Sequence, residues 1–578
     1  MNVERTGRSG SGVAHAQAHA HEHMDEHAHA HVHAGGFFAT RALGRGPRAT
    51  PACFATSRLA RACFAAASLL TGSLLLGACG EDFTPETSGG GASGTGGTGG
   101  TAGSGGTGAQ GGGGAGGGTP AACVPSELGS GEAPADGCGV FVSSSVGDDG
   151  NAGTKDAPFA TLGAAIDSGA TVIYACTDGF SEAVTLAAGT TLFGGLDCTN
   201  GWAYVGAETR SPLTAPADAI PLTLASGSAT TRVEDMAVTA ASAAAAGGSS
   251  IAFFANGATA ELVRSSFTAG DGAPGESAQA LPPDGALDGT NGENGNPALG
   301  AGSCAAQATN PGGAGGPKTC GGTVVDGGAG GLGSYQTSGG NGDEGQPTTV
   351  DTTGDGGTGQ PAVGQCEAGH QGALGDPGTS GTGASGIGTI DALGYHGADG
   401  TVGGIGVPGQ GGGGGGGGRC NAGVTGPSGG GGGSGGCGGA GGDRGRAAGS
   451  SIALLSFDSA LSLTTCTVTT AAGAAGGDGA AGQDGGYGGQ IGLSGGNGAC
   501  NGAQGGNGGP GGPGGGGHGG HSVGIAFDGG AAPVTTDTTF SLGTVGPGGL
   551  GGTSPALDGE AGQSCQSLDF GSGDCTQG

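Results

Sequence analysis

The sequence predicts an all-β chain of solenoid type, interrupted by long glycine-rich insertions, and three observations carry that expectation. Glycine supplies 155 of 578 residues while aromatics make up 4%, so no single large apolar core is available. Short β-prone runs, separated by Gly, Asp and Ser turns, follow one another from Cys138 to about Phe267. A pair of such runs then recurs twice nearer the C-terminus, as expected of stacked units that cannot bury an apolar face singly.

Taken in order, residues 1–79 read as a leader. His15, His19, His21, His23, His27, His29, His31 and His33 alternate largely with alanine, a density that can bind transition metals. The favoured reading is that this tract is discarded, or that translation starts later, for instance at Met24. Arg41, Arg45, Arg48, Arg58 and Arg61 precede the apolar run Cys63 to Ala78, which has the length of a signal-peptide core and is short for a membrane span. The run ends Leu76-Gly77-Ala78-Cys79, which resembles the lipobox of bacterial lipoproteins. That resemblance implies cleavage between Ala78 and Cys79, palmitate and other acyl chains on Cys79, and attachment to a membrane. Ordinary signal-peptidase cleavage is the alternative. Gly80 stands where many inner-membrane lipoproteins have aspartate, which leans toward the outer membrane.

Residues 80–122 form a linker, almost wholly Gly, Ser, Thr and Ala between Ser88 and Thr119, and so a flexible tether. Beyond Cys79, eight Lys/Arg stand against forty-two Asp/Glu. Basic residues are too few and scattered to neutralise a run of phosphates, so nucleic acid is excluded as a partner.

Residues 123–268 are assigned to the first solenoid coils. The runs Gly139 to Val142, Thr171 to Tyr174, Ala183 to Leu186 and Thr190 to Phe193 are the candidate strands. The segment from Asp149 to Ile166, DGNAGTKDAPFATLGAAI, resembles the opening of right-handed parallel β-helices of the pectate-lyase-like superfamily. The resemblance implies a short capping helix over Leu162 to Ile166, successive coils at 171–175 and 190–194, and a bridge between Cys176 and Cys198. It covers about a quarter of the chain and speaks to fold more than to chemistry.

A repeat extends the pattern. Ser249 to Phe254 (SSIAFF), Ser450 to Leu455 (SSIALL) and, more loosely, His521 to Ala526 each precede a second β-prone run. Residues 449–470 and 521–578 are therefore further coils, the latter with a cysteine-containing tail. Residues 269–448 and 471–520 are glycine-rich insertions, expected to leave one edge of the stack as loosely ordered or disordered loops of low complexity. Around Gly505 a GGX period suits extended three-residue-per-turn helices with bare glycine edges in contact. The whole pattern resembles glycine-rich, PGRS-like proteins, and more closely the glycine-rich lipoproteins of myxobacteria; the N-terminal PE domain of the mycobacterial proteins is absent.

The candidate disulfide cysteines fall in neighbouring pairs: Cys123 and Cys138, Cys176 and Cys198, Cys304 and Cys320, Cys420 and Cys437, Cys565 and Cys575. They indicate an oxidising compartment. No CxxC occurs, which disfavours zinc. Cys366, Cys466 and Cys500 are left over, so at least one thiol is free or pairs elsewhere.

Chemistry is sparse. Arg232, Glu234, Asp235 and Arg264 form the one acidic and basic cluster expected on consecutive coils, and a lyase would need such a base beside carboxylates. Isolated outward charges on a solenoid are more often a solvated face. His518 and His521 could share a metal, and the Asp-rich turn from Gly476 to Asp484 could hold structural calcium, but neither signal recurs; no cofactor is expected. The sequence thus points to an exported, lipid-anchored cell-envelope protein, non-enzymatic, displaying its loops as an adhesion or matrix scaffold. Its expected partners are the membrane, through the anchor, and extracellular polysaccharide or envelope proteins. The rival is a carbohydrate-active enzyme, polysaccharide lyase or hydrolase, or a carbohydrate-binding protein.

Overall fold

The computed structural model describes residues 120–206, 208–299, 310–335, 337–420 and 425–577. The leader, Ala78, Cys79, nearly all of the linker and Cys304 lie outside the described residues.

Strands dominate, and the short helices sit mainly at the N-terminal end. The strands form three parallel sheets, and the chain visits them in a fixed rotation. Val172–Cys176 lies in the first sheet, Phe180–Ser181 in the second and Val184–Leu186 in the third, after which Thr191–Asp197 returns to the first. The rotation continues through Gly227–Glu234, Met236–Ala240 and Ser250–Asn256, then through Ala258–Val263 and Ser266–Thr268. It resumes after a first glycine-rich excursion at Ser451–Phe457 and after a second at Ser522–Asp528.

Alternation within each strand explains the packing. Ile173, Leu192, Val233, Leu262 and Leu463 occupy matching positions of the first sheet and point inward. They meet Leu213, Val238, Phe267 and Val468 of the second sheet and Leu222, Phe253, Leu454 and Ile525 of the third in one apolar column. The repeat read from sequence is a true register: Ile251 pairs with Ile452, and Ile452 with Val523. The helix Leu162–Asp167 closes the N-terminal end, capped by the Thr161 hydroxyl, which accepts the Ala164 N–H.

Outer faces are covered over the N-terminal strands of the first sheet and over the third sheet. On the first sheet Phe141 stacks on Tyr174 and Tyr174 on Phe193, with Trp202 edge-on to Phe141. On the third, Ile251, Ile452, Leu455 and Val523 are buried together with Ile390, and Tyr395 packs beside them, both carried by the hairpin Thr389–Asp391 and Gly394–His396.

The glycine tracts depart from the expected disordered loops, for the described parts are extended and hydrogen-bonded to one another. In Gly411–Gly418 the amides of Gly411, Gly414 and Gly417 donate to Gln346, Asp343 and Gly340; those of Gly412, Gly415 and Gly418 to Gly433, Gly430 and Pro427; those of Gly413 and Gly416 to His370 and Glu367. Its carbonyls accept from three further segments: Gly328 and Gly331 on Gly412 and Gly415, Gly357 and Gln360 on Gly414 and Gly417, Ala503 and Cys500 on Gly413 and Gly416. This is the three-residue period of a polyproline II helix, surrounded by six others. All eight glycines are buried. The free energy that low hydrophobicity withholds is replaced by backbone hydrogen bonds, which only side-chain-free segments can approach closely enough to make.

The disulfides follow the same architecture. Cys123–Cys138, Cys176–Cys198 and Cys565–Cys575 join neighbours in sequence. Cys320, however, bonds Cys437 across 117 residues rather than Cys304, so Cys420 and Cys437 are not partners either. Cys366, unassigned by the spacing, bonds Cys500 across 134 residues. Both long bridges tie segments that are distant in the chain and adjacent in the bundle. Cys420 is also disulfide-bonded, and among the described residues Cys466 is free and buried.

Candidate functional site

The charge cluster anticipated on consecutive coils forms at the corner where the first sheet passes into the second. There Asp235, Arg264, Thr465 and Asp537 stack in successive circuits, all with left-handed φ of 56°, 46°, 57° and 50°. The Asp235 amide donates to Val263, that of Arg264 to Thr464 and that of Thr465 to Thr536, which holds these unfavourable conformations in place.

Arg264 reaches back one circuit. Its Nε donates to Asp235 Oδ1 and its Nη2 to Asp235 Oδ2, each at 3.1 Å, and Nη2 also contacts Glu234 Oε1. Glu234 Oε1 accepts the Ser126 hydroxyl at 2.5 Å, and Oε2 accepts Arg232 Nε at 2.8 Å. The Tyr204 hydroxyl donates to Asp235 Oδ2 at 2.9 Å, Arg232 Nη1 contacts Glu261 Oε2 at 3.1 Å, and Arg210 Nε donates to the Arg264 carbonyl. Glu234 and Asp235 are buried. Burial pushes the Asp235 carboxyl above its ordinary range, against the pull of Arg264. Burial also opposes the Arg264 charge, but the hydrogen bonds that Arg264 donates to Asp235 and the two carboxylate charges outweigh it and hold the guanidinium protonated. Tyr204 is pushed up to about 12, first by burial and then by the Asp235 charge.

Arg232, Glu234, Asp235 and Arg264 are thus brought together as expected, joined by Ser126, Tyr204, Arg210 and Glu261, which spacing alone did not single out. Tyr204 lay two residues from Trp202 in a β-prone segment, the one sequence signal that could have drawn it in. Every carboxylate oxygen of Glu234 and Asp235 accepts a hydrogen bond from the protein, which leaves neither as an open metal ligand or unencumbered base.

The histidine pair is spoken for. The His518 and His521 rings lie 5.0 Å apart, but His521 Nδ1 accepts the Gln563 N–H at 2.9 Å and its Nε2 sits 2.9 Å from the Ile387 carbonyl. Both ring nitrogens of His521 are used, so the shared-metal reading is not supported by the geometry. Burial, then the neighbouring His518, lowers His521 to about 4. In the Asp-rich turn, Asp478 Oδ1 accepts the Leu550 amide. Cys176, Asp178 and Cys198 cluster as metal ligands would, but the two sulfurs are bonded to each other and Asp178 accepts from the Ser143 and Ser145 hydroxyls.

Two open clefts on the bundle, of about 530 and 660 Å³, are lined by Asp284, Asp288 and Asp484 in one and Asp326, Asp343 and Glu344 in the other, without a basic residue. Among the described residues no helix is long and apolar enough to cross a membrane. Compared with known proteins, the chain matches no family model, no curated protein and no solved structure.

Proposed function

We propose that the protein is an exported lipoprotein of the cell envelope, anchored through Cys79 and serving as a non-enzymatic surface scaffold for adhesion or matrix contact, with the outer membrane as its location. The observation that carries this reading is the density of disulfides: eleven described cysteines are bonded, which favours an oxidising compartment beyond the cytoplasm. The Leu76-Gly77-Ala78-Cys79 motif and the tether after it supply the route and the anchor. The three sheets, visited in rotation by parallel strands, are read as the faces of a right-handed parallel β-helix, the hand that parallel crossovers adopt almost without exception. The mature sequence carries strong negative charge, and the engaged carboxylates of Glu234 and Asp235 favour a structural role for this charge cluster. Mass spectrometry of the mature N-terminus tests the anchor. An acylated Cys79 as first residue is expected; an unmodified N-terminus upstream of it removes the proposal.

A second reading, a polysaccharide lyase, hydrolase or carbohydrate-binding protein, rests on the guanidinium groups of Arg232 and Arg264 beside three carboxylates. Turnover of polyuronates with calcium, lost on Arg232→Ala, would establish it in place of the scaffold.

A further inference from the structure

The second sheet leaves its outer face uncovered, and that face carries a ladder of hydroxyls. Ser181 pairs with Thr214, Thr214 with Thr239, Thr239 with Thr268, Thr268 with Thr469 and Thr469 with Ser541, so six successive rungs present a hydroxyl at one register position. Two residues earlier, Ser266, Thr467 and Thr539 carry a second hydroxyl column on the last three strands, following Pro212 and Ala237 at the same register position. Thr214 donates to the Phe180 carbonyl at 3.2 Å. The other hydroxyls of both columns take no hydrogen-bond partner within the described protein and are exposed or half-buried.

Strand propensity alone does not produce this. The first sheet has equally β-prone strands, yet its corresponding outward positions hold Arg232, Glu261 and Ser462. The hydroxyl face is uncharged on a strongly acidic molecule, and no aromatic, amide or charged side chain interrupts the two columns. Sugar recognition draws on such groups, so their absence argues against a polysaccharide occupant. The face is backed by the fully buried Leu213, Val238, Phe267 and Val468, which fix the strand positions.

The geometry of such a sheet sets rungs about 4.7–4.9 Å apart and columns about 6.6–6.8 Å apart. Those repeats lie near the oxygen repeats on the prism face of ice, and threonine offers a hydroxyl to bond lattice water together with a methyl that orders it. We propose that this ladder is an ice-lattice docking face, its ligand being ordered water rather than a solute. The proposal is independent of the lipid anchor and of any enzymatic reading.

The test is partition of the full mature chain into slowly growing ice, with ice-recrystallisation inhibition as a second readout. Wild-type protein is expected to be enriched several-fold in the ice fraction over a non-binding protein of similar size. The pair Thr268→Tyr and Thr469→Tyr, which breaks the ladder at outward positions, is expected to abolish that enrichment. Thr464→Tyr, an equally bulky change at an exposed position on a C-terminal strand of the first sheet, is expected to retain it, with unchanged melting confirming the fold of both. Exclusion of the wild type from ice overturns the proposal, as does full enrichment of the double variant. Ladder-dependent binding to an insoluble neutral polysaccharide without ice enrichment overturns it in favour of a glycan partner.

Discussion

A Cβ built on Gly414 would stand 1.9 Å from the carbonyl oxygen of Ala329, far inside van der Waals contact, and the obstacle is backbone that cannot swing aside. Gly414→Ala is therefore expected to destabilise the folded chain by about 3 kcal/mol or more, as overpacking of a rigid interior does. Gly137→Ala, where nothing lies within 4 Å, is expected to change stability by less than about 0.5 kcal/mol. Urea denaturation of the two variants checks the contrast.

The long disulfides should matter more than the short ones. In the chain-entropy picture, losing Cys320–Cys437, which closes 117 residues, costs about 4–5 kcal/mol, against about 2–3 kcal/mol for Cys565–Cys575, which closes 10. Paired Cys→Ser variants compared by denaturant midpoint measure the difference.

Arg264→Ala leaves Glu234 and Asp235 buried with one cationic partner gone from between them, and is expected to cost about 3–5 kcal/mol. Arg264→Lys is expected to recover only part of this, since a point charge does not reproduce the paired contacts of the guanidinium with the two Asp235 oxygens. Equal stability of Arg264→Ala and wild type at pH 7 would contradict the clamp.

Acid should loosen the third sheet through His521. Its folded pKa of about 4 lies below the ordinary histidine value, so between those limits the unfolded chain binds the extra proton. The stability contributed by the neutral ring is full above about pH 6.5 and is lost as pH falls toward 4, about 3 kcal/mol in all. His518, lowered chiefly by its own burial, acts in the same direction. His521→Gln is expected to flatten the pH dependence of thermal unfolding over this window.

How much of this was written in the sequence depends on the range of the interaction. The strands of the sheets were legible because alternation is local: Ser249 to Phe254 and Ser450 to Leu455 share a pattern, and the structure sets them side by side. The charge cluster was legible in part, since Glu234 and Asp235 are adjacent in sequence, whereas Ser126 reaches Glu234 from 108 residues away. The bundle was legible only around Gly505, where the GGX period suits packed three-residue-per-turn helices and the amides of Gly505, Gly508 and Gly511 donate to Gly489, Gly486 and Gln483; elsewhere it was hidden. Its cohesion comes from backbone groups, so glycine marks only where neighbours approach, and low hydrophobicity made the tracts look disordered. In hindsight the unbroken run Gly411–Gly418 is the signal, because a helix enclosed on all sides has no face free for a side chain, whereas a GGX segment has one. Disulfide partners such as Cys366 and Cys500 were illegible for the same reason, being neighbours only once the bundle has formed.

The central claim is that the glycine tracts are folded structure. Amide hydrogen exchange of Gly411–Gly418 tests it most directly. Protection comparable to that of the strand Ser451–Phe457 is predicted, since every amide of the glycine run donates to a neighbouring segment and all but the last residue of the strand are buried. Exchange of the glycine run at the rate of an unstructured peptide, while Ser451–Phe457 stays protected, would contradict the account.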